Sequence, residues 1–207
     1  MYARLMAFLA LAGAPVFMGT ANAAPITFQF SGVITQVPID GIFGDIFAGD
    51  LFFGSYTFDS AAADAIPADP ATGSYTSAGA PFGMTVMIGV HVFSTSNLLN
   101  IGIMNGLVDQ YTVLALSAGG DLTLELFLQD NTAGVFANDG LPLSAPSLAS
   151  FTLMDFRLSQ TFETGEVQVD GRIDALTTVP EPATGALSCG VLLLLALAHY
   201  RRSSRFD

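Results

Sequence analysis

The chain has 207 residues and a net charge of −12, yet only 12% of its residues are charged. Hydrophobic residues make up 51% of it, which excludes an ordinary disordered chain because such chains are poor in apolar side chains. Residues 24–179 carry sixteen acidic residues and two arginines, a balance of −14. This balance repels phosphate backbones, so we expect no binding to nucleic acid.

The first 23 residues have the pattern of a secretory signal peptide. A cationic stretch ends at Arg4, an apolar run covers residues 5–18, and Ala21 and Ala23 form an A-x-A motif. This order is typical of an export signal that signal peptidase removes, and an uncleaved transmembrane helix is the alternative. We predict cleavage after Ala23, which leaves Ala24 as the first mature residue.

Residues 179–205 form a second hydrophobic end. A run of apolar or small residues extends over 183–198, about 24 Å as a helix, at the short limit of what crosses a ~30 Å bilayer core. Cationic flanks stay in the cytoplasm, so the body of the protein is expected outside it. The triplet before the run is Pro180-Glu181-Pro182, and the cationic cluster after it is Arg201, Arg202 and Arg205.

The arrangement of export signal, body, Pro-Glu-Pro triplet, apolar helix and arginine cluster resembles the PEP-CTERM sorting tail. The resemblance covers residues 179–205 and carries the signature at Pro180, Glu181 and Pro182. It implies a Gram-negative host in which the tail holds the exported protein in the inner membrane until an exosortase cleaves near the triplet. It also implies a destination at the cell surface or in an exopolysaccharide matrix. An ordinary single-pass anchor is the alternative.

Residues 24–178 show the period-two alternation of half-buried β-strands. Clear examples are residues 26–30, 82–92, 122–128 and 167–173, and residues 151–161 change phase in a way that predicts a bulge at Met154-Asp155. Turn signals such as Asn105-Gly106 separate about nine or ten short strands. The pattern predicts an antiparallel β-sandwich, of which a jelly roll is one form, with a closed barrel as the alternative.

The body offers few groups for catalysis. It contains one histidine, His91, and neither cysteine nor lysine, and the alternation places His91 on the polar face of its strand. A nucleophilic triad or a zinc site is therefore not expected. A glycoside hydrolase with two catalytic carboxylates remains as a third alternative, but the chain has no tryptophan to form a sugar platform. We predict that the protein is not an enzyme.

Two runs of evenly spaced aspartates could supply oxygen ligands to calcium, the one cofactor that the sequence suggests. Neither run has the spacing of an EF-hand loop, and solvated turn residues are the alternative interpretation. The candidates are Asp40, Asp45 and Asp50 in the first run and Asp59, Asp64 and Asp69 in the second.

These patterns predict an exported structural or interaction protein whose processing enzymes are signal peptidase and an exosortase. Exopolysaccharide or matrix proteins are its expected partners. A calcium-assisted carbohydrate-binding module is the alternative function.

Overall fold

The computed structural model describes residues 24–38, 45–163 and 165–180. The described chain is all-β, with ten strands, one single-turn 3-10 helix at Leu148–Ser150 and no α-helix. The strands are β1 (Pro25–Gln36), β2 (Leu51–Asp59), β3 (Thr72–Ala78), β4 (Gly83–Ile88), β5 (His91–Thr95), β6 (Leu98–Met104), β7 (Asp109–Leu116), β8 (Leu122–Asp130), β9 (Leu153–Phe162) and β10 (Gly165–Thr178).

All ten strands belong to one antiparallel sheet in the order β3-β6-β7-β8-β9-β10-β1-β2-β4-β5. Strands β6 to β10 follow one another as a meander, and β1 lies between β10 and β2. The first and last strands are therefore neighbours within the sheet. Their pairing contains two register shifts: at Ser31/Gly32 the extra residue, Asp174, belongs to β10, and at Ile34/Gln36 the extra residue, Thr35, belongs to β1.

The sheet is curled into a half-barrel, and the short connections show why. Strands β3 and β4 are eight positions apart in the sheet order, which would separate them by about 38 Å if the sheet were flat. Only residues 79–82 join them, and a chain of that length reaches at most about 18 Å. The curl also brings β2 opposite β7, where the hydroxyl oxygens of Tyr56 and Tyr111 lie 2.8 Å apart.

The core fills the concave face of the curled sheet. Alternate residues of each strand point inward, as in β1, where Phe28, Phe30 and Ile34 are buried. Aromatic rings pack among aliphatic side chains, and the centroids of Phe52 and Phe156 lie 4.6 Å apart in a stacked arrangement. The inward positions bury many of the phenylalanine side chains, each of which removes a large apolar area from water.

The all-β, antiparallel part of the prediction is confirmed, and the strands form one continuous sheet where a sandwich has two. The bulge predicted at Met154-Asp155 is wrong, because both residues pair with β8 without a register shift and Asp155 also pairs in register with Arg172 of β10. The apolar residues change phase in the sequence for another reason. Phe151 is buried but lies before the strand, and Leu153 is an apolar residue on the outer face, where it is 42% exposed.

The predicted strand over residues 82–92 is two strands. A two-residue loop, Gly89-Val90, turns the chain between β4 and β5, and Ile88 pairs with His91 across it. Gly89 has φ +58°, which suits the first position of a tight hairpin. Because directly paired residues share a face, the inward positions change from even to odd numbers at this turn.

Part of the sequence prediction lies outside the described residues. This applies to the signal peptide, the tail helix, and the residues Ala21, Ala23, Glu181, Pro182, Arg201, Arg202 and Arg205. Among the residues that the structure describes, no helix is long and apolar enough to cross a membrane.

Candidate functional site

A polar groove crosses the convex, outer face of the sheet over β8, β9, β10 and β1. Glu125, Arg157 and Asp170 occupy paired positions on three neighbouring strands and so form one row across the sheet. The Nε of Arg157 lies 3.3 Å from an Asp170 carboxylate oxygen, and its Nη1 lies 3.5 Å from a Glu125 carboxylate oxygen. The Arg157 guanidinium therefore joins two carboxylates at the centre of the groove.

The groove has a volume of about 490 Å³ and mixed chemistry. Thr35 and Gln36 supply neutral polar groups from β1, Asp155 supplies a further carboxylate, and the ring of Phe127 is partly exposed. Hydroxyls of a sugar could bond to the carboxylates and to Arg157, while Phe127 offers a small apolar surface. The carboxylates of Glu125 and Asp170 are both paired with the same cation.

His91 does not lie on the polar face that the sequence predicted. Its side chain is 35% exposed and bonds Asp45, with 2.6 Å between the Nε2 and a carboxylate oxygen. The hairpin at Gly89-Val90 reverses the phase, so Val90 and Val92, predicted to be inward, are 84% and 65% exposed. The histidine is thus held by an aspartate that the sequence placed in a calcium run.

Among the described residues, no three of the predicted calcium ligands form a cluster that could hold a metal ion, although Asp45 and Asp50 line the same surface depression. Asp40 lies outside the described residues, and Asp45 is paired with His91. Each of the other four carboxylates accepts a hydrogen bond from a backbone N–H close by in its own turn. These N–H groups belong to Phe47 for Asp50, Ala61 for Asp59, Ile66 for Asp64 and Ala71 for Asp69.

These bonds are the local bonds typical of aspartates in turns. Asp64 has a second role, because it also accepts from the N–H of Ser74 and so ties its loop to the edge strand β3. No group of three or more His, Cys, Asp or Glu side chains in the described parts of the chain could hold a metal ion.

An apolar patch covers the outer face of β2, β4 and the turn beside β5. Phe53 and Met87 are paired neighbours on this face, and Met87 is paired with Val92. Phe53 is 51% exposed and Met87 45%. Leu51 and Phe47 extend the patch toward Asp45 and Asp50. Sequence alternation alone does not reveal it, because both faces of these strands carry apolar residues.

The two predicted processing points lie at the same end of the sheet. Ala24, the predicted mature N-terminus, directly precedes β1, and its carbonyl accepts a hydrogen bond from Ser60. At the other terminus, the N–H of Val179 donates to the Thr27 carbonyl at 2.9 Å, and Pro180 is exposed directly after it. The folded domain therefore fills the interval between the two points.

The chain matches no protein-family model, no curated protein and no solved structure.

Proposed function

We propose that this is an exported protein of the cell surface or extracellular matrix with a structural or interaction role, sorted through its PEP-CTERM-like tail by an exosortase. The order of the sequence features carries this proposal. A precursor held by both a signal peptide and a tail helix needs both chain ends to face the membrane. The sheet meets this requirement, because the start of β1 lies beside the end of β10, with Phe28 paired to Thr178.

The position of the triplet also supports cleavage after folding. Pro180 follows the last strand by two residues and is exposed, so the bonds next to it lie outside the sheet. Prolines at positions 180 and 182 oppose helix formation, and an extended segment suits the cleft of a protease. Cleavage there would remove the tail without breaking a strand.

Replacement of Pro180, Glu181 and Pro182 by alanine tests the sorting proposal. In the native host we expect the wild type outside the inner membrane and the triple variant in the inner-membrane fraction. An equal distribution of the two proteins would contradict sorting through the triplet.

A second candidate function is carbohydrate binding in the outer groove, and the pairing of Arg157 with two carboxylates favours it. The expected ligand is the exopolysaccharide of the host. Arg157→Ala removes the central donor, and we expect at least about tenfold weaker retention on immobilised exopolysaccharide, since a hydrogen bond to a charged group contributes about 1.5–3 kcal/mol.

Arg172→Ala is the matched control for the groove. Arg172 is the other arginine of the body and lies on β10. Its side chain is exposed, as that of Arg157 is, but it pairs with Asp174 outside the groove. Equal retention of both variants and the wild type would exclude the groove as a binding site. This result is independent of whether the tail is cleaved.

A further inference from the structure

Two buried aspartates face each other across one strand pair at an end of the half-barrel. Asp109 is the first residue of β7, Asp130 is the last residue of β8, and the two are directly paired in the sheet. Their positions continue the inward-facing series of Tyr111 and Leu128. Asp109 is fully buried and Asp130 is 2% exposed. Like charges at directly opposed positions of a sheet destabilise it unless something compensates them.

Hydrogen bonds compensate part of this charge. One oxygen of Asp109 accepts from the N–H groups of Val135 at 2.8 Å and Phe136 at 2.9 Å. Asp130 accepts from the N–H and hydroxyl of Thr132 and from the N–H of Gly134.

The other oxygen of Asp109, Oδ1, is buried and has no hydrogen-bond partner. A buried carboxylate oxygen without a donor or a cation is costly, and native structures rarely keep one. The cations of the described chain are engaged elsewhere. Arg157 pairs with Glu125 and Asp170, Arg172 with Asp174, and His91 with Asp45.

We infer that Asp109 and Asp130 bind a calcium ion at this end of the half-barrel. The unpaired oxygen of Asp109 and the carboxylate of Asp130 are hard anionic ligands. Backbone carbonyls of the loop after β8, together with water, are the neutral oxygens that would complete a shell of six to eight. The carboxylate of Asp130 bonds its own turn, as the carboxylates of the two aspartate runs do. What distinguishes this site is the buried Oδ1 of Asp109, which has no partner.

The test measures calcium binding by the chelator-treated protein. Isothermal titration calorimetry with CaCl₂ measures the binding itself, and thermal unfolding with and without CaCl₂ measures the stabilisation. We expect one ion per chain and a rise of roughly 3–10 °C in the unfolding midpoint at about 10 mM calcium, as for extracellular sites of modest affinity. MgCl₂ should give a smaller rise, because magnesium dehydrates reluctantly and demands a stricter geometry.

Asp109→Asn should abolish both the calorimetric signal and the thermal shift. Asp130→Asn is the second site variant, in case the first does not fold. Asp69→Asn is the matched control because Asp69 bonds only its own turn, and it should bind calcium as the wild type does. Absence of binding by the wild type would overturn the inference and leave a water molecule as the partner of Asp109. Calcium binding that survives both site variants would also overturn it.

Discussion

At the scale of single residues, the bond between Tyr56 and Tyr111 joins the two arms of the curled sheet. Both side chains are fully buried, and each hydroxyl has the other as its partner. A buried hydroxyl deprived of its partner costs about 1–3 kcal/mol, whereas removal of both hydroxyls can be nearly neutral.

Tyr111→Phe should therefore lower the free energy of unfolding by about 1–2 kcal/mol, because it leaves the Tyr56 hydroxyl unpaired. The double variant Tyr56→Phe/Tyr111→Phe should be more stable than this single variant. Urea unfolding of the three proteins measures the difference. A double variant less stable than the single variant would contradict the claim that the unpaired Tyr56 hydroxyl destabilises Tyr111→Phe.

The same pair predicts how stability depends on alkaline pH. Burial raises the pKa of Tyr56 and of Tyr111 above the ordinary tyrosine value of 10.0. Above pH 10 the unfolded chain loses these protons while the folded chain keeps them, so unfolding becomes more favourable as pH rises. Below pH 10 both states hold the protons, and the contribution is fully present.

We therefore expect the free energy of unfolding to fall as pH increases beyond about 10, and to fall less steeply in the double phenylalanine variant. Urea unfolding at a series of pH values from 8 to 11 measures this slope. Identical slopes for the wild type and the double variant would show that other groups control alkaline stability.

Individual residues also show what sequence reasoning could and could not provide. The turn interpretation of the spaced aspartates agrees with their observed bonds, because an Asp-containing turn is a local feature. The burial of Asp109 and Asp130 was missed. Each is the end residue of an ordinary alternating strand, and only the pairing of β7 with β8 shows that they oppose each other.

At the scale of elements, the junction of β1 and β10 leaves no room for a side chain at Gly32. A Cβ added at Gly32 would lie 1.9 Å from the backbone oxygen of Arg172, beside the register shift at Ser31/Gly32. Neither backbone can move away without breaking the pairing of the first and last strands. A side chain at this position is therefore excluded.

Gly32→Ala should destabilise the protein by about 2–3 kcal/mol or prevent folding, as overpacked positions do. Gly102→Ala is the matched control, since Gly102 also lies within a strand but its Cβ would be 3.8 Å from the nearest atom. We expect that control to change stability by less than about 0.5 kcal/mol. Equal effects of the two substitutions in thermal unfolding would contradict the close contact.

The elements themselves were largely predictable because alternation is a local property. Strand β8 was expected at residues 122–128 and is observed at Leu122–Asp130. The hairpin at Gly89-Val90 was missed because hydrophobic residues continue through the turn, and only the pairing of Ile88 with His91 reveals the change of phase.

At the scale of the whole molecule, alternation cannot distinguish one curled sheet from two stacked sheets. Both arrangements bury one face of every strand. The difference lies in the order of the strands, in which β1 pairs with both β10 and β2 and so joins the two arms. The outer groove depends on the same order, because Glu125, Arg157 and Asp170 come together only across three paired strands.

The sorting proposal also predicts which strands the mature protein retains. The folded domain begins next to Ala24 and ends next to Pro180, so a mature form that lacks both hydrophobic ends would retain all ten strands. Removal of either end at a point inside the sheet would instead break the pairing of β1 with β10.

The measurement that tests the central claim most directly is the intact mass of the protein isolated from its native host. The account predicts a species that starts at Ala24 and ends near Pro180-Glu181-Pro182. The variant with alanine at these three positions should start at the same residue and keep its tail. A wild-type mass that includes the tail as far as Asp207 would contradict the account and leave an ordinary membrane-anchored domain.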